Sequence, residues 1–162
     1  MADEDDRQYV RPPEPADIGR ICRALNESGA KYVLIGGFAL IAHGGLRTTK
    51  DVDLLIDDAP ENVARVRAAL CVLPDRAARE VADDDVRNYT VVRIADEVLV
   101  DLLGKACGLA YADVVQDAET VEIAGVPVTI ASKATLIRTK MTIRPQDAAD
   151  RAFLQQRIDE SA

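Results

Sequence analysis

The segment from Asp51 to Asp57 reads as a strand that carries two aspartates one residue apart, Asp51 and Asp53. Side chains alternate between the two faces of a strand, so these two carboxylates point the same way while Val52 and Leu54 point into the core. Taken alone, such a pair is typical of an ordinary strand with its polar face in water. It indicates chemistry only if further carboxylates or an anion-binding turn lie beside it.

A third aspartate, Asp101, lies among leucines in a second strand-like segment, Val98 to Leu103. A carboxylate amid buried leucines costs on the order of several kcal/mol unless a partner compensates its charge. If this segment pairs with the strand Asp51 to Asp57, three carboxylates converge, and a divalent cation such as Mg²⁺ or Mn²⁺ relieves their repulsion. The alternative partner is an arginine such as Arg93, in a buried salt bridge.

Gly36 and Gly37 follow an apolar run that ends at Ile35, and a short helix predicted to reach His43 comes after them. Backbone N–H groups at a helix N-terminus suit an anion such as a triphosphate. By itself a glycine pair is more typical of a plain tight turn. The order of strand, glycine pair, helix, polar loop and aspartate pair favours the first interpretation, because it places a phosphate site and a metal site at the same end of neighbouring strands.

The periodicity of apolar residues predicts helices and strands in alternation. A first helix begins near Pro15 and stops at Gly29, and a hairpin turns at Ala124-Gly125. The fold class is therefore α/β (α+β), with a mixed central sheet flanked by helices and with helices at the C-terminus. Further predicted helices cover 60–73, 109–118, 132–143 and 145–158, and the predicted strands cover 31–35, 51–57, 89–94, 98–103 and the two arms of 121–130.

The chain has 162 residues, which fits a single domain. Residues 1–14 are charged and interrupted by proline, so we expect a mobile acidic tail there, followed by one catalytic domain over 15–162. No apolar run approaches the roughly 20 residues that span a bilayer, and the three cysteines are odd in number and far apart. These features predict a cytoplasmic protein with reduced thiols and without a membrane partner.

The net charge of −8 argues against a broad, sequence-indifferent nucleic-acid coat, because cationic side chains drive that kind of binding. The charge is segregated along the chain. Residues 1–17 carry six acids against two bases, whereas residues 131–157 carry six bases against two acids. A local anion-binding surface in the C-terminal part is therefore compatible with the composition.

Two runs of residues carry a resemblance to a known family. The first is Gly36-Gly37-x-Ala39-x-x-x-His43-x-x-x-Arg47-x-Thr49-x-Asp51-x-Asp53-Leu54, and the second is Leu136-Ile137-x-x-Lys140-x-x-x-Arg144-Pro145-x-Asp147-x-x-Asp150-x-x-x-Leu154. The first resembles the signature of minimal nucleotidyltransferases of the DNA polymerase β superfamily. The second is similar to the closing pattern of the abortive-infection, type IV toxin–antitoxin toxin-like branch.

The resemblance implies roles for individual residues. Asp51 and Asp53 would hold divalent metal ions, and Asp101 would be the third ligand and the base. The remaining implied nucleotide-binding residues are Gly36, Gly37, Arg47, Thr49 and Lys140, and those implied to lie near the site are His43, Lys133, Arg144 and Asp147.

Several of these residues also have a structural interpretation. Arg47 fits a solvated loop, and the lone His43 fits a packed residue or a helix cap. The spacing of Lys140, Arg144, Asp147 and Asp150 fits one ion-pair network that braces the last two helices, and we assign Asp150 to that structural role.

The implied reaction is attack of a hydroxyl on the α-phosphorus of a nucleoside triphosphate, assisted by two divalent ions, with release of pyrophosphate. The acceptor would be RNA, a protein or a small molecule, and a cognate antitoxin is an implied partner. The alternatives are an antibiotic-type small-molecule adenylyltransferase and a non-catalytic nucleotide-binding or interaction module. The sequence leaves the acceptor, the preferred nucleotide and the oligomeric state open.

Overall fold

A six-stranded mixed sheet forms the centre of the computed structural model, which describes residues 10–161. Helices flank this sheet and complete one α/β domain, as the sequence predicted. Within the described residues the strands are β1 (Tyr32–Ile35), β2 (Asp51–Ile56), β3 (Val92–Ala95), β4 (Leu99–Leu103), β5 (Lys105–Ala106), β6 (Leu109–Ala110), β7 (Glu119–Ile123) and β8 (Val126–Ile130).

The strand order in the sheet is β3-β4-β2-β1-β8-β7. β2 runs antiparallel to β1 and parallel to β4, and β1 runs parallel to β8. The two outer pairs, β3 with β4 and β7 with β8, are antiparallel hairpins. β5 and β6 form a separate two-stranded ribbon.

The helices in residues 10–161 differ greatly in length. None of them combines the length and the apolar character that a membrane crossing requires. They are α1 (Pro15–Ser28), α2 (Gly36–Ala42), α3 (Pro60–Leu70), α4 (Asp85–Asn88), α5 (Tyr111–Val114), α6 (Lys133–Arg138) and α7 (Pro145–Ser161), with 3₁₀ turns at Ala77–Glu80 and Val115–Asp117.

Helix α1 buries one apolar face against the rest of the domain. Ile18, Ile21 and Leu25 recur at helical spacing and are completely buried. The helix ends at Gly29, whose φ of 72° is the left-handed conformation that glycine adopts without strain. Both the helix and its stop were predicted from the sequence.

The predicted mobile tail, residues 1–14, lies mostly outside the described residues, because the description begins at residue 10. In the described part, the guanidinium of Arg11 donates hydrogen bonds of 2.7 Å to Asp17 in α1. It donates another, of 2.9 Å, to Glu97 in the turn between β3 and β4. Arg11 therefore joins the N-terminal end of the described chain to helix α1 and to the β3–β4 turn.

The central strands β1 and β2 carry the core. All of β1 is buried, and in β2 the side chains of Val52 and Leu54 are completely buried. Asp51 and Asp53 alternate with them and are only partly covered. The predicted alternation is confirmed, and it sends both carboxylates to the same face of the sheet.

The prediction of one helix from Leu109 to Ala118 was wrong. The segment instead contains β6, α5 and a 3₁₀ turn. The cause is a tight turn at Cys107 and Gly108, whose φ angles of 47° and 80° return the chain so that β6 pairs with β5. Cysteine rarely takes this left-handed conformation, so the turn has no ordinary sequence signal.

The other differences lie at element ends. The helix that Ser132 caps ends at Arg138 instead of Ile143, because Arg151 donates hydrogen bonds to the carbonyls of Lys140 and Thr142 and holds that segment in a turn. α3 ends at Leu70 instead of Leu73, α7 ends at Ser161 instead of Ile158, and β3 begins at Val92 instead of Tyr89.

Candidate active site

Three aspartates from two neighbouring strands meet at one place on the sheet. β2 and β4 pair in parallel with Asp53 opposite Asp101, and Asp51 lies two residues before Asp53 on the same face. One oxygen from each of the three carboxylates lies within 4.8 Å of the others. The predicted convergence is therefore observed, and we call Asp51, Asp53 and Asp101 the carboxylate cluster.

The surroundings of the carboxylate cluster disfavour the charged form of two of its acids. Burial, together with the charges of Asp51 and Asp101, raises the pKa of Asp53 to about 7. Burial and the charge of Asp101 likewise raise the pKa of Asp51. Lys140 and Arg93 counteract the rise at Asp53 only in part. Two neighbouring acids whose pKa values are raised in this way attract a cation.

Arg93 is in direct contact with two members of the cluster. It lies opposite Asp101 in the antiparallel pair of β3 and β4. Its Nε donates to Asp101 Oδ1 and its Nη2 to Asp101 Oδ2, both at 2.8 Å, and Nη2 also donates to Asp51 Oδ2 at 2.9 Å. The salt bridge that the sequence left open as an alternative is thus present together with the cluster.

The glycine pair at the start of α2 packs directly onto the aspartate strand. Gly36 has a φ of 72°, and a Cβ atom there would lie 2.1 Å from Asp53 Oδ2. A Cβ atom on Gly37 would lie 2.7 Å from Thr49 Oγ1. Because a plain tight turn would not need such close approach, the contacts favour the interpretation that the pair belongs to the site.

Thr49 links the loop before β2 to that strand. Its Oγ1 donates a hydrogen bond of 3.1 Å to the carbonyl oxygen of Asp51. Through Thr49 and Asp53, the glycine pair and the aspartate pair of the sequence signature form one contacting unit. The spacing of these residues in the sequence therefore has a packing reason.

Two cations beside the cluster are held by one acid of helix α7. Arg47 Nη1 and Lys140 Nζ both donate to Asp150 Oδ2, at 2.5 and 3.0 Å, and Gln146 donates to Asp150 Oδ1 at 3.0 Å. We call these four residues the Asp150 network. Burial raises the pKa of Asp51 and of Asp53, and the charge of Arg47 offsets part of the rise at Asp51 as that of Lys140 does at Asp53, so both cations lie close to the cluster.

The predicted single ion-pair network of the last two helices is two separate groups. Arg144 pairs with Asp147 at 2.9 Å, and Asp147 also accepts a hydrogen bond from the hydroxyl of Thr142. Arg144 is mostly exposed, unlike the buried Lys140. Lys133 begins α6 and is half-buried.

His43 has partners away from the carboxylate cluster. It caps the C-terminus of α2 and is buried, with Nε2 2.8 Å from the carbonyl oxygen of Ala131 and 3.8 Å from Glu119. These contacts join the end of α2 to the strands β7 and β8. They support the structural interpretation of this histidine.

The carboxylate cluster fits a hard divalent cation. Its donor atoms are all carboxylate oxygens, which Mg²⁺ and Mn²⁺ prefer over the nitrogen and sulfur ligands that zinc favours. The raised pKa of Asp53 gives an independent reason, because a bound cation would offset both the burial and the neighbouring charges that raise it.

Comparison with known proteins adds one finding. A family model described as "Nucleotidyl transferase of unknown function (DUF2204)" matches residues 15–160. This range contains every residue of the carboxylate cluster and of the Asp150 network. No curated protein matches the chain.

Proposed function

Because the chain belongs to this family of nucleotidyl transferases, we propose that it transfers a nucleoside monophosphate from a nucleoside triphosphate to a hydroxyl group. The observation that carries the proposal is the carboxylate cluster, with Gly36 of α2 packed closely against Asp53 and with the pKa of Asp53 raised by burial and by the neighbouring acids. Acids that lie together and repel one another are retained at a cost in stability, which indicates a role in binding.

Asp51, Asp53 and Asp101 would hold Mg²⁺ or Mn²⁺. When bound, such ions supply positive charge to the entering and leaving oxygens of the transferred phosphoryl group. The chain itself supplies the fixed positions of the three carboxylates, which the parallel pairing of β2 and β4 sets. It also supplies the closely packed glycine pair that holds Asp53 in place.

The triphosphate would lie against the first turn of α2. The N–H groups at the start of a helix have no partners within the helix, so Gly36 and Gly37 offer donors to phosphate oxygens. Arg47 and Lys140, which belong to the Asp150 network, would add positive charge that attracts the triphosphate. Lys133 would add a further positive charge. Thr49 would keep the aspartate strand and the glycine pair in register.

In the proposed reaction the acceptor hydroxyl oxygen forms a bond to the α-phosphorus. The bond between that phosphorus and the oxygen bridging to the β-phosphorus breaks, and pyrophosphate leaves with the bonding electrons. The hydroxyl proton goes to a carboxylate oxygen of Asp101. Both oxygens of Asp101 accept hydrogen bonds from Arg93 in the structure, so the guanidinium competes with the proton for this carboxylate.

We place this reaction in the cytoplasm and assign the chain to the toxin-like branch with a cognate antitoxin. The support is the resemblance of the C-terminal motif, whose Lys140 and Asp150 form a buried ion pair beside the cluster. The acceptor classes are RNA, protein and small molecules. Labelling of separate RNA, protein and small-molecule fractions distinguishes these three classes.

The test is to incubate the protein with each α-³²P-labelled nucleoside triphosphate, Mg²⁺ or Mn²⁺, and cellular RNA, protein and small-molecule fractions. Asp53→Asn is the inactive variant. Asp58→Asn is the matched control, because Asp58 pairs with Arg87 and follows the opposite end of β2. We expect the wild type and Asp58→Asn to transfer label, and Asp53→Asn to lose at least about a thousandfold in rate.

The labelled fraction identifies the acceptor class. Label confined to small molecules would favour the antibiotic-type alternative. Nucleotide binding without transfer to any fraction would favour the non-catalytic module. Equal transfer by Asp53→Asn and the wild type would overturn the proposal.

A second prediction concerns binding alone. Asp51→Ala should abolish metal-dependent binding of a nucleoside triphosphate without unfolding the domain, because it removes a ligand that is partly exposed. Calorimetric titration with and without Mg²⁺ measures this, with circular dichroism as the check on folding. Unchanged affinity in the presence of Mg²⁺ would contradict the assignment of Asp51 to the metal.

A further inference from the structure

Arg93 uses the same carboxylate oxygens that a metal ion would need. Its guanidinium donates hydrogen bonds to both oxygens of Asp101 and to one oxygen of Asp51. A bidentate arginine–carboxylate pair is among the stronger hydrogen-bonded arrangements in proteins. A guanidinium and a metal ion at the same carboxylate oxygens would repel each other as well as compete for lone pairs.

Arg93 is also placed where it can leave the cluster. It lies on β3, the last strand at its side of the sheet, and its side chain is 53% exposed, against 7% for Asp101. The long side chain can therefore turn into solvent while the carboxylates stay fixed by β2 and β4. A guanidinium buried on all sides would not have this freedom.

We propose that Arg93 is a resident counter-ion that competes with the divalent metal, so that metal binding displaces its guanidinium from Asp101 and Asp51. This inference rests on the proposed function, because it takes the carboxylate cluster as the metal site. It gives Arg93 a positioning role: in the metal-free protein it holds the acids together, and its departure frees Asp101 to accept a proton.

The displaced guanidinium remains attached to β3, the strand that pairs with the strand of Asp101. Metal binding thus exchanges one cation for another at the acids.

The test is titration of Mn²⁺ into the metal-free protein at pH 8, followed by calorimetry and by the electron paramagnetic resonance signal of free Mn²⁺. Arg93→Gln removes the competing charge, so we expect about tenfold tighter binding than in the wild type. Arg93→Lys keeps the charge without the bidentate geometry and should fall between them. Arg79→Gln is the matched control, since Arg79 is an exposed arginine beside Glu80, and its affinity should equal that of the wild type.

Thermal unfolding gives a second readout that does not depend on activity. Without metal, Arg93→Gln should unfold at a lower temperature than the wild type, and Mn²⁺ should stabilise it by more than it stabilises the wild type. If Arg93→Gln fails to fold, the Mn²⁺ affinity of Arg93→Lys is compared with that of the wild type instead. Equal or weaker Mn²⁺ binding by the Arg93 variants, with normal binding by the wild type, would overturn this inference alone. Absence of Mn²⁺ binding in every variant and in the wild type would overturn the metal site and the proposed function with it.

Discussion

The carboxylate cluster and the nearby Asp150 have shifts of pKa in opposite directions. In the carboxylate cluster, burial and the neighbouring acids raise the pKa of Asp53 to about 7. At Asp150, burial also raises the pKa, but hydrogen bonds from Lys140, Gln146 and Arg47 outweigh it and leave the pKa below its usual value. Aspartate therefore has two different roles in this fold. The carboxylate cluster is suited to bind a cation, whereas Asp150 already pairs with Arg47 and Lys140 and stabilises the structure.

The largest effect on stability should come from neutralising Asp150. Asp150→Asn leaves the buried ammonium of Lys140 without its ion-pair partner, and breaking such a pair costs about 4 kcal/mol in the free energy of unfolding. Urea denaturation measures the change. Glu160→Gln is the control, because Glu160 lies 3.8 Å from Arg157 in an exposed pair that should contribute little. Similar losses for the two variants would show that Asp150 contributes no more to stability than an exposed acid, which contradicts its structural role.

A glycine comparison tests how tightly Asp53 is held. Gly36 and Gly29 have the same φ of 72°, but only at Gly36 would a Cβ atom meet Asp53 Oδ2, at 2.1 Å. Gly29→Ala should cost about 1 kcal/mol from backbone strain alone, and Gly36→Ala about 3 kcal/mol, because the clash adds to the strain. Gly36→Ala should also abolish Mn²⁺ binding, which Gly29→Ala should leave intact. Equal costs would show that Asp53 can move away.

The smallest expected effect is the pH dependence of the free energy of unfolding. Its sign for Asp53 is opposite to its sign for Asp150. The pKa of Asp53 is raised from 3.8 to about 7 in the folded protein, so the folded state holds the extra proton between these values. The free energy of unfolding of the metal-free protein should therefore fall by about 1 kcal/mol or more as the pH rises from 4 to 7. The contribution of Asp150, whose pKa is lowered, is instead lost as the pH falls through the acid range below 3.8.

Asp53→Asn removes the titrating group and should remove the fall between pH 4 and pH 7. At pH 8 without metal this variant should be more stable than the wild type by about 1 kcal/mol, because the repulsion is gone. Denaturation at several pH values in a chelating buffer measures both effects. A wild type whose stability rises through that range would contradict the charge balance assigned to the cluster.

The sequence predicted those parts of the fold and the site that depend on local patterns. Helix α1 with its stop at Gly29, the β7–β8 hairpin and the common face of Asp51 and Asp53 follow from periodicity and turn residues. The convergence of Asp101 with them was also predicted, because a carboxylate among leucines requires a partner and an adjacent strand provides one.

Other features depend on contacts between distant segments and carry no local signal. The ion pair of Lys140 with Asp150 follows from the predicted network of the last two helices. Arg47, which binds the same oxygen of Asp150 from 103 residues earlier in the chain, was not assigned to it. The contact of Arg93 with Asp51 needs both the β3–β4 hairpin and the parallel pair of β2 and β4. The predicted hairpin, in which Ile94 faces Val98, would place Arg93 opposite Leu99. In the structure the turn is shifted by one residue, and this shift pairs Arg93 with Asp101.

The parallel pairing of β2 and β4 has a consequence for how the protein folds. The hairpins β3–β4 and β7–β8 and the β1–β2 pair join segments close in sequence, whereas β2 with β4 and β1 with β8 join distant ones and should form later. A shift of one residue between β2 and β4 would separate Asp53 from Asp101 and turn one of them to the opposite face. Binding of Mn²⁺ during refolding should therefore begin only when β2 and β4 have reached their native register. This step should follow the formation of most of the secondary structure.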